Sequence, residues 1–413
     1  MNDAPLDKTT YYRASANRTL NLPDASLVPA RTDVCVIGAG FTGLSTALEL
    51  ARAGRKVAVF DTGPVGWGAT GRNGGQICTG FSPGMGKFEK QLGETDARIC
   101  FDVAEAGKRL IEQRIKDNAI ECDLAWGFLH TASRPGHMDE LKELRDEFEK
   151  YGVKDCTILS KEQLADKLGS KAYHGAMREQ DSGHMHPLNY ALGLADAVTS
   201  LDGQIFENTE VASLQGGTSP SITLASGQTV SCNQIVVACN GYIGALVPGL
   251  SHHVMPVASY MVATEPLGEN RARSLIRNNE AVCDSNYVVD YFRLSADNRL
   301  LFGGRCSYSG IHPNDLGANM KPRVLKVFPQ LADVKMEYGW GGYIGITHNR
   351  LPEMGRIDTS IYYAQGYSGQ GLVLSGMFGK LMADAIMGDS ARFDVFSRIK
   401  HMAFPGGALR RPA

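Results

Sequence analysis

The chain has 413 residues, 43% hydrophobic and 21% charged, with 42 basic against 44 acidic side chains and a formal charge of -2. At roughly 100–200 residues per domain, that length predicts two or three domains, and the apolar fraction excludes wholesale disorder. Neither sign of charge gathers at one end, so nucleic acid is not an expected partner, and no apolar run approaches a membrane span.

Nine cysteines without a C-x-x-C pair fit a reducing compartment better than a disulfide framework. The start, MNDAPLDK, lacks the layout of a secretory signal, and a cytoplasmic protein is expected. Residues 1–30, with Pro5, Pro23 and Pro29, read as an irregular lead-in. Val34–Ile37 is a short β-rich run, and Leu44, Ala47, Leu48 and Ala51 then fall on one helix face. Gly54 is placed to end that helix, and Val57–Phe60 predicts a second strand closing on Asp61. Strand, turn, helix and strand in this order imply a parallel pair.

Residues 62–90 read as a long Gly-rich loop, followed by helices over about 94–118 and 137–151. Ser160 with Gln163 forms a capping box, and Pro187 suits the first position of a helix over 188–200. Residues 204–238 alternate like short strands, and 254–345 are strand-like with turns. Ile361–Ala364 is a last short strand, after which a helix of small and apolar residues runs to about Met387.

Gly38, Gly40 and Gly43 form G-x-G-x-x-G after a strand and at the start of a helix, the context that makes the pattern informative. Gly38 permits the tight turn, Gly40 lets backbone approach a pyrophosphate, and Gly43 lets helix and strand pack closely. The helix N-terminus offers free N–H groups to the phosphates. Asp61, 23 residues after Gly38, can accept hydrogen bonds from both ribose hydroxyls, and its charge disfavours a 2′-phosphate. An ordinary glycine turn is the competing explanation; the combined context favours an adenine dinucleotide.

A second cluster runs from Gly66 to Gln76, in which Arg72, Asn73 and Gln76 can bond a flat heteroaromatic ring; a flexible lid is the alternative. The amides of Gly366–Gly371, ahead of the last helix, suit a group that collects negative charge, such as the N1–C2=O edge of a reduced flavin. Ser375, Gly376 and Gly379 allow close approach there, or simply tight helix packing. His184 and His186 stand two residues apart with no third ligand nearby, so no metal site is expected.

Taken together, GAGFTG, GATGRNGGQ, VVACNGY, DSGHMHPLN, WGGYIGITHNRLPEMG, QGYSGQG and the closing FPGG resemble the glycine oxidase/D-amino acid oxidase class of FAD enzymes nearly end to end. Within it the chain is most similar to the bacterial branch that oxidises γ-glutamylputrescine. The resemblance implies an α/β fold: a Rossmann-like FAD-binding domain with a second, α+β substrate domain built on a mixed sheet. Residues 31–85, 155–245 and 346–400 would form the discontinuous FAD domain, and 86–154 with 246–345 the substrate domain. It further implies FAD held by Gly38, Ala39, Gly40, Phe41, Thr42, Gly43, Asp61 and Thr62. Ala69, Arg72, Asn73, Gly74, Gly75 and Gln76 would lie along the isoalloxazine, with Val211 and Gly241 also in contact. Gly369, Gln370, Gly371 and Leu372 would cap its pyrimidine edge. Gly345, Ile346 and Thr347 stand where some relatives carry a flavin-linked cysteine, so the FAD is expected to be non-covalent. Two lysines of those relatives fall at Leu301, over the flavin, and at Val373, near N1.

The reaction so implied is oxidation of a small-molecule amine, the nitrogen being neutral when hydride leaves its carbon, with oxygen as electron acceptor. Tyr287, Tyr291, Arg293 and Arg305 are candidates for the substrate sheet, an arginine suiting an amino-acid carboxylate. Alternation puts Tyr291 and Arg293 on one strand face and Phe292 on the other. His184, His186, His348 and Tyr367 are further candidates, and Trp340 reads rather as core. A glycine or sarcosine oxidase would share every cofactor residue. An NAD-dependent dehydrogenase leaves RNGGQ and GYSGQG unused, and a non-catalytic flavoprotein would bind FAD that no amine reduces.

Overall fold

Val34–Ile37 is buried along its whole length, as a continuous apolar run at the centre of a parallel sheet must be. It pairs in parallel with Val57–Phe60 on one side and Gln234–Val237 on the other. The six-stranded sheet continues outward to Gln204–Phe206 at one edge and to Ile361–Gln365 and Glu353–Arg356 at the other. This computed structural model describes residues 9–308 and 312–406; Pro5 of the lead-in and Gly407 of the closing FPGG lie outside them.

The helix Phe41–Arg52 follows the first strand, and ten of its twelve residues are buried. A second layer explains this: the helix Gly371–Ile386 lies against it, with Thr46 Oγ1 donating to Gly379 O at 3.1 Å. A Cβ on Gly379 would stand 2.4 Å from Thr42 O, so Gly379 serves tight packing. The capping box at Ser160 is present, its hydroxyl accepting from Gln163 N and the Gln163 side chain from Ser160 N.

The second sheet is mixed and nine-stranded. Its main path runs Met336–Thr347, Val254–Thr264, Leu300–Ser307, Tyr291–Leu294, Ala281–Asp284, Ala125–Thr131, Gly175–His184 and Gln76–Ile77, with Cys156–Ser160 also pairing Gly175–His184. A mixed α/β fold with a Rossmann-like unit and a mixed second sheet is therefore what forms.

Three expectations need correction. The strands Cys156–Ser160 and Gly175–His184, inside the 155–245 piece assigned to the cofactor domain, belong to the nine-stranded sheet. Lateral pairing is a long-range choice that local periodicity does not encode. The stretch 254–345 contains two helices, Glu269–Leu275 and Leu316–Val327. The latter buries Leu316, Met320, Val324 and Val327 at helical spacing in spite of Pro322. The lead-in is not wholly irregular: Tyr11–Ala14 is a capped helical turn whose two tyrosines are buried. Tyr12 packs edge-on to Trp340, their ring centroids 5.5 Å apart.

Among the described residues no single helix is long and apolar enough to cross a membrane.

Candidate active site

The C-terminal ends of the central parallel strands and one face of the nine-stranded sheet enclose a cavity of about 830 Å³. At one end it is lined by Gly38, Gly40, Phe41 and Thr42, with Asp61, Thr62 and Val211. The helix Phe41–Arg52 starts at Gly40 with no side-chain cap, so its first turn presents amide dipoles to this space. Gly38 adopts φ +110, which only glycine takes without strain. Ala39 and Gly43 do not line the cavity. The Ala39 amide donates to Asp61 Oδ2 at 2.7 Å, while Gly43 is required sterically. Asp61 Oδ1 accepts from Gly63 N at 2.9 Å. Burial pushes the Asp61 carboxyl above its ordinary range, with the Glu207 charge adding and the Gly63 and Ala39 amides opposing. Hydroxyl donors, such as those of a ribose, would offset that burial.

In the middle, Ala69, Arg72, Asn73, Gly74 and Gln76 reach the wall, yet their polar side chains fasten the loop. Arg72 donates to Trp67 O at 2.8 Å and Gly341 O at 3.1 Å. Asn73 donates to Ala69 O and Thr70 O, and Gln76 to Val282 O. The loop therefore offers a ring mainly a shaped wall rather than free side-chain donors. Thr70 Oγ1 accepts the Phe41 amide, which ties this loop to the first helix. Opposite lie Gly369, Gln370, Gly371 and Leu372. The Gly371–Ile386 helix also begins without a side-chain cap, after left-handed turns at Gly366, Ser368 and Gly369. Gln370 Oε1 and Ser375 Oγ, both on the wall, are buried without hydrogen-bond partners among the described residues. Tyr367 joins the two helix starts, its hydroxyl 2.8 Å from Thr42 Oγ1. Two uncapped helix N-termini, orphaned polar atoms and Asp61 fit a long anionic cofactor with a hydrogen-bonding ring at one end.

The far end is the face of the mixed sheet. Tyr291 lies flat over Gly303, where a Cβ would stand 2.1 Å from its ring. Burial pushes its hydroxyl up to about 12. Cys306 and Gly304 pair with the consecutive residues Ser259 and Tyr260, which leaves Arg305 as the extra residue of a β-bulge at φ +55. Bulges re-aim side chains beside active sites, and Arg305 indeed reaches the cavity. Arg350, also left-handed at φ +66, lies over the exposed Tyr287 ring at 5.6 Å and donates to its hydroxyl. Tyr308 completes this rim. The sequence reading missed Arg350 and Tyr308. The only local signal for Arg350 was an arginine in a tight turn after Asn349.

Several expected site residues lie elsewhere. Arg293 shares the face of Tyr291, and Phe292 points into the opposite core, as alternation requires. The Arg293 guanidinium, however, sits beneath the glycine loop and donates to Gly74 O, Leu294 O and Tyr12 Oη. It is a strut, not a substrate clamp. Gly75 makes room for it, since a Cβ there would stand 2.9 Å from Arg293 Nη2. Gly241 packs against Gly345 backbone, away from the cavity wall. Leu301 is fully buried and off the wall, whereas Val373 is on it. His348 is exposed and packs on Phe404. His184 is buried and its Nε2–H donates to Asn279 O at 2.7 Å, just before the strand Ala281–Asp284. His186 caps the helix Pro187–Thr199, Nδ1 accepting from Asn189 N, which leaves Nε2–H for Ser15 Oγ.

These two histidines set an acid limit on the fold. Burial, then the Arg293 charge, lowers each from 6.5 to about 3. Both are neutral when folded, so below pH 6.5 the unfolded chain binds protons that the native chain refuses. Stability is complete above 6.5 and falls toward pH 3, by up to about 1.4 kcal/mol per pH unit for each histidine. Urea midpoints at pH 7 and 5.5 check this: the drop should shrink in His186→Asn, which keeps a capping acceptor without a titratable ring.

Comparison with known proteins agrees with this geometry. Residues 33–385 match the family described as FAD dependent oxidoreductase. The chain is 41% identical over 405 residues to the γ-glutamylputrescine oxidoreductase of Escherichia coli (strain K12), covering 98% of this chain and 94% of that protein. It is 40% identical to the probable oxidoreductase OrdL of Haemophilus influenzae, covering 97% and 93%. Among solved structures, glycine oxidase from Geobacillus kaustophilus superposes with a TM-score of 0.76 at 23% identity, covering 91% of this chain and 100% of that one. The chain belongs to the FAD dependent oxidoreductase family. It is an enzyme that uses FAD to oxidise a small-molecule amine.

Proposed function

We propose that the chain oxidises the free amine of a γ-glutamylated diamine such as γ-glutamylputrescine. Loss of hydride from the carbon bearing nitrogen gives an imine, which hydrolyses to the aldehyde and ammonia. Oxygen is the electron acceptor in this reading and leaves as hydrogen peroxide, in the cytoplasm. The observation that carries the proposal is the rim: Arg305 and Arg350 on strained left-handed backbone, with Tyr287 and Tyr308, at the mouth of one cavity. Two guanidinium groups suit the carboxylate of a glutamyl end, which a simple diamine lacks. Phe81, Phe128, Leu144 and Phe148 line an apolar stretch able to take a methylene chain.

FAD would be held by Gly38, Gly40, Phe41, Thr42, Asp61 and Thr62 at its adenosine and phosphate end, and by Ala69, Arg72, Asn73, Gly74, Gln76 and Gly369–Leu372 along its ring. Bound FAD supplies the two-electron acceptor for the hydride. Tyr291 forms a wall that orients the amine carbon. With no cysteine at Gly345–Thr347, the FAD is non-covalent, and acid precipitation should release all yellow colour into the supernatant.

Anaerobic mixing with γ-glutamylputrescine, putrescine and glycine, followed by flavin bleaching, tests the substrate. Bleaching by γ-glutamylputrescine at least about tenfold faster than by either other amine is expected from one charged contact of ~1.5 kcal/mol. Faster reduction by glycine would replace this reading with that of a small amino-acid oxidase.

A further inference from the structure

One cluster of titratable groups on the cavity wall has no part in the account above. Cys283, on the strand Ala281–Asp284, pairs across the sheet with Tyr291 on one side and His130 on the other, so the three side chains form a row. Cys283 Sγ lies 3.4 Å from His130 Nδ1, and His130 Nε2 bonds Glu179 Oε1. Cys283 and His130 line the cavity; Glu179 is 2% exposed behind them. Its other oxygen accepts from Ser182 Oγ at 2.7 Å, and Ser182 connects through Thr79 to Lys108.

An alkylammonium titrates near 10.4, so at neutral pH only about one molecule in a few thousand carries the lone pair that oxidation needs. Something must take the proton. Arginines cannot, and Tyr291 and Tyr367 on the wall are pushed further up by burial. The Asp61 carboxylate is taken by amides at the opposite end.

We propose that Cys283 and His130, oriented by Glu179, receive the ammonium proton of the amine substrate. The inference rests on the amine-oxidising reading of the site. Burial alone would lower the His130 imidazole, but the Cys283 sulfur and the Glu179 charge raise it to about 10, close to the alkylammonium it would relieve. The accepting form is the one with a single proton between Sγ and Nδ1 and one net negative charge on the array. The substrate N–H bond breaks, its electron pair stays on nitrogen, and the proton fills the vacant place, giving thiol, imidazolium and carboxylate. The Glu179 charge, held down at about 2 by His130 although burial opposes it, keeps the imidazolium stable afterwards. Groups facing His130 are Glu179 and Cys283; Cys78, Lys108 and Glu105 form the next layer.

Cys283 and His130 are catalytic residues in this scheme, and Glu179 is a positioning residue. The test is the pH profile of anaerobic flavin reduction in holoenzyme, for wild type, Cys283→Ala, His130→Asn and Glu179→Gln. At pH 7 the first two variants should lose about 100-fold in rate and recover to within a few-fold of wild type near pH 10. Parallel profiles at all pH values would overturn the proposal, as would the same alkaline rescue confined to Glu147→Gln, which alters another carboxylate on the cavity wall, one that accepts from Met85 N. A second readout needs no turnover: iodoacetamide labelling of Cys283 at pH 7, followed by peptide mass, should slow about tenfold in His130→Asn. Unchanged labelling would also overturn it. Failure of wild type to be reduced by any amine would instead reject the amine reading, while the labelling result still stands or falls separately.

Discussion

Gly43→Ala should give protein with no measurable bound FAD, and most of it insoluble. The added Cβ would stand 1.9 Å from Gly38 O and 3.1 Å from Val36 Cγ1. The first contact is with backbone, so no rotamer change relieves it; the helix must move off the strand. That movement displaces the amides of the uncapped helix start and the Phe41–Thr70 bond together. Helix shifts of this kind commonly cost ~1–3 kcal/mol in packing, and the lost phosphate contacts add to that. Gly86→Ala is the control, because nothing lies within 4 Å of a Cβ there. It should match wild type in flavin content and melting temperature, both read from absorbance at the flavin band. A Gly43→Ala protein of normal yellow colour would remove the phosphate role of this turn.

The Gly38–Asp61 unit was legible because its demands are local: a turn only glycine can make, a close packing, and a carboxylate at a strand end. Phe292 and Arg293 show how far alternation reaches. Their faces were correctly read, but what stands above a face is decided by another part of the chain. The glycine loop descends on Arg293 and takes its hydrogen bonds, while two residues earlier the same face opens on the cavity. His186 was ambiguous for a similar reason, since a cap and a ligand demand the same position before a helix. The helix Leu316–Val327 holds Pro322 in its interior, a residue that ordinarily breaks a helix, within a stretch whose other elements are mostly strands. Cys283, His130 and Glu179 lie on three strands far apart in sequence, and only the sheet order brings them together.

Arg305 is where sequence and structure meet. Its type suggested a carboxylate partner, and the bulge supplies the direction that alternation could not. Arg305→Ala and Arg350→Ala should each raise KM for γ-glutamylputrescine about 10- to 100-fold, the range of a charge-assisted hydrogen bond worth ~1.5–3 kcal/mol. The same changes should leave kcat/KM for putrescine within about threefold, since surface charge removal without a partner has small effects. Arg305→Gly separates clamp from scaffold. At φ +55 a non-glycine residue is strained by ~1–2 kcal/mol, so glycine should raise the melting temperature while losing as much affinity as alanine. A residue kept strained at a cost in stability, and needed only for the glutamylated substrate, is a binding residue. If Arg305→Gly melts higher yet handles both amines as wild type does, the carboxylate passes to Arg350 or leaves the rim altogether.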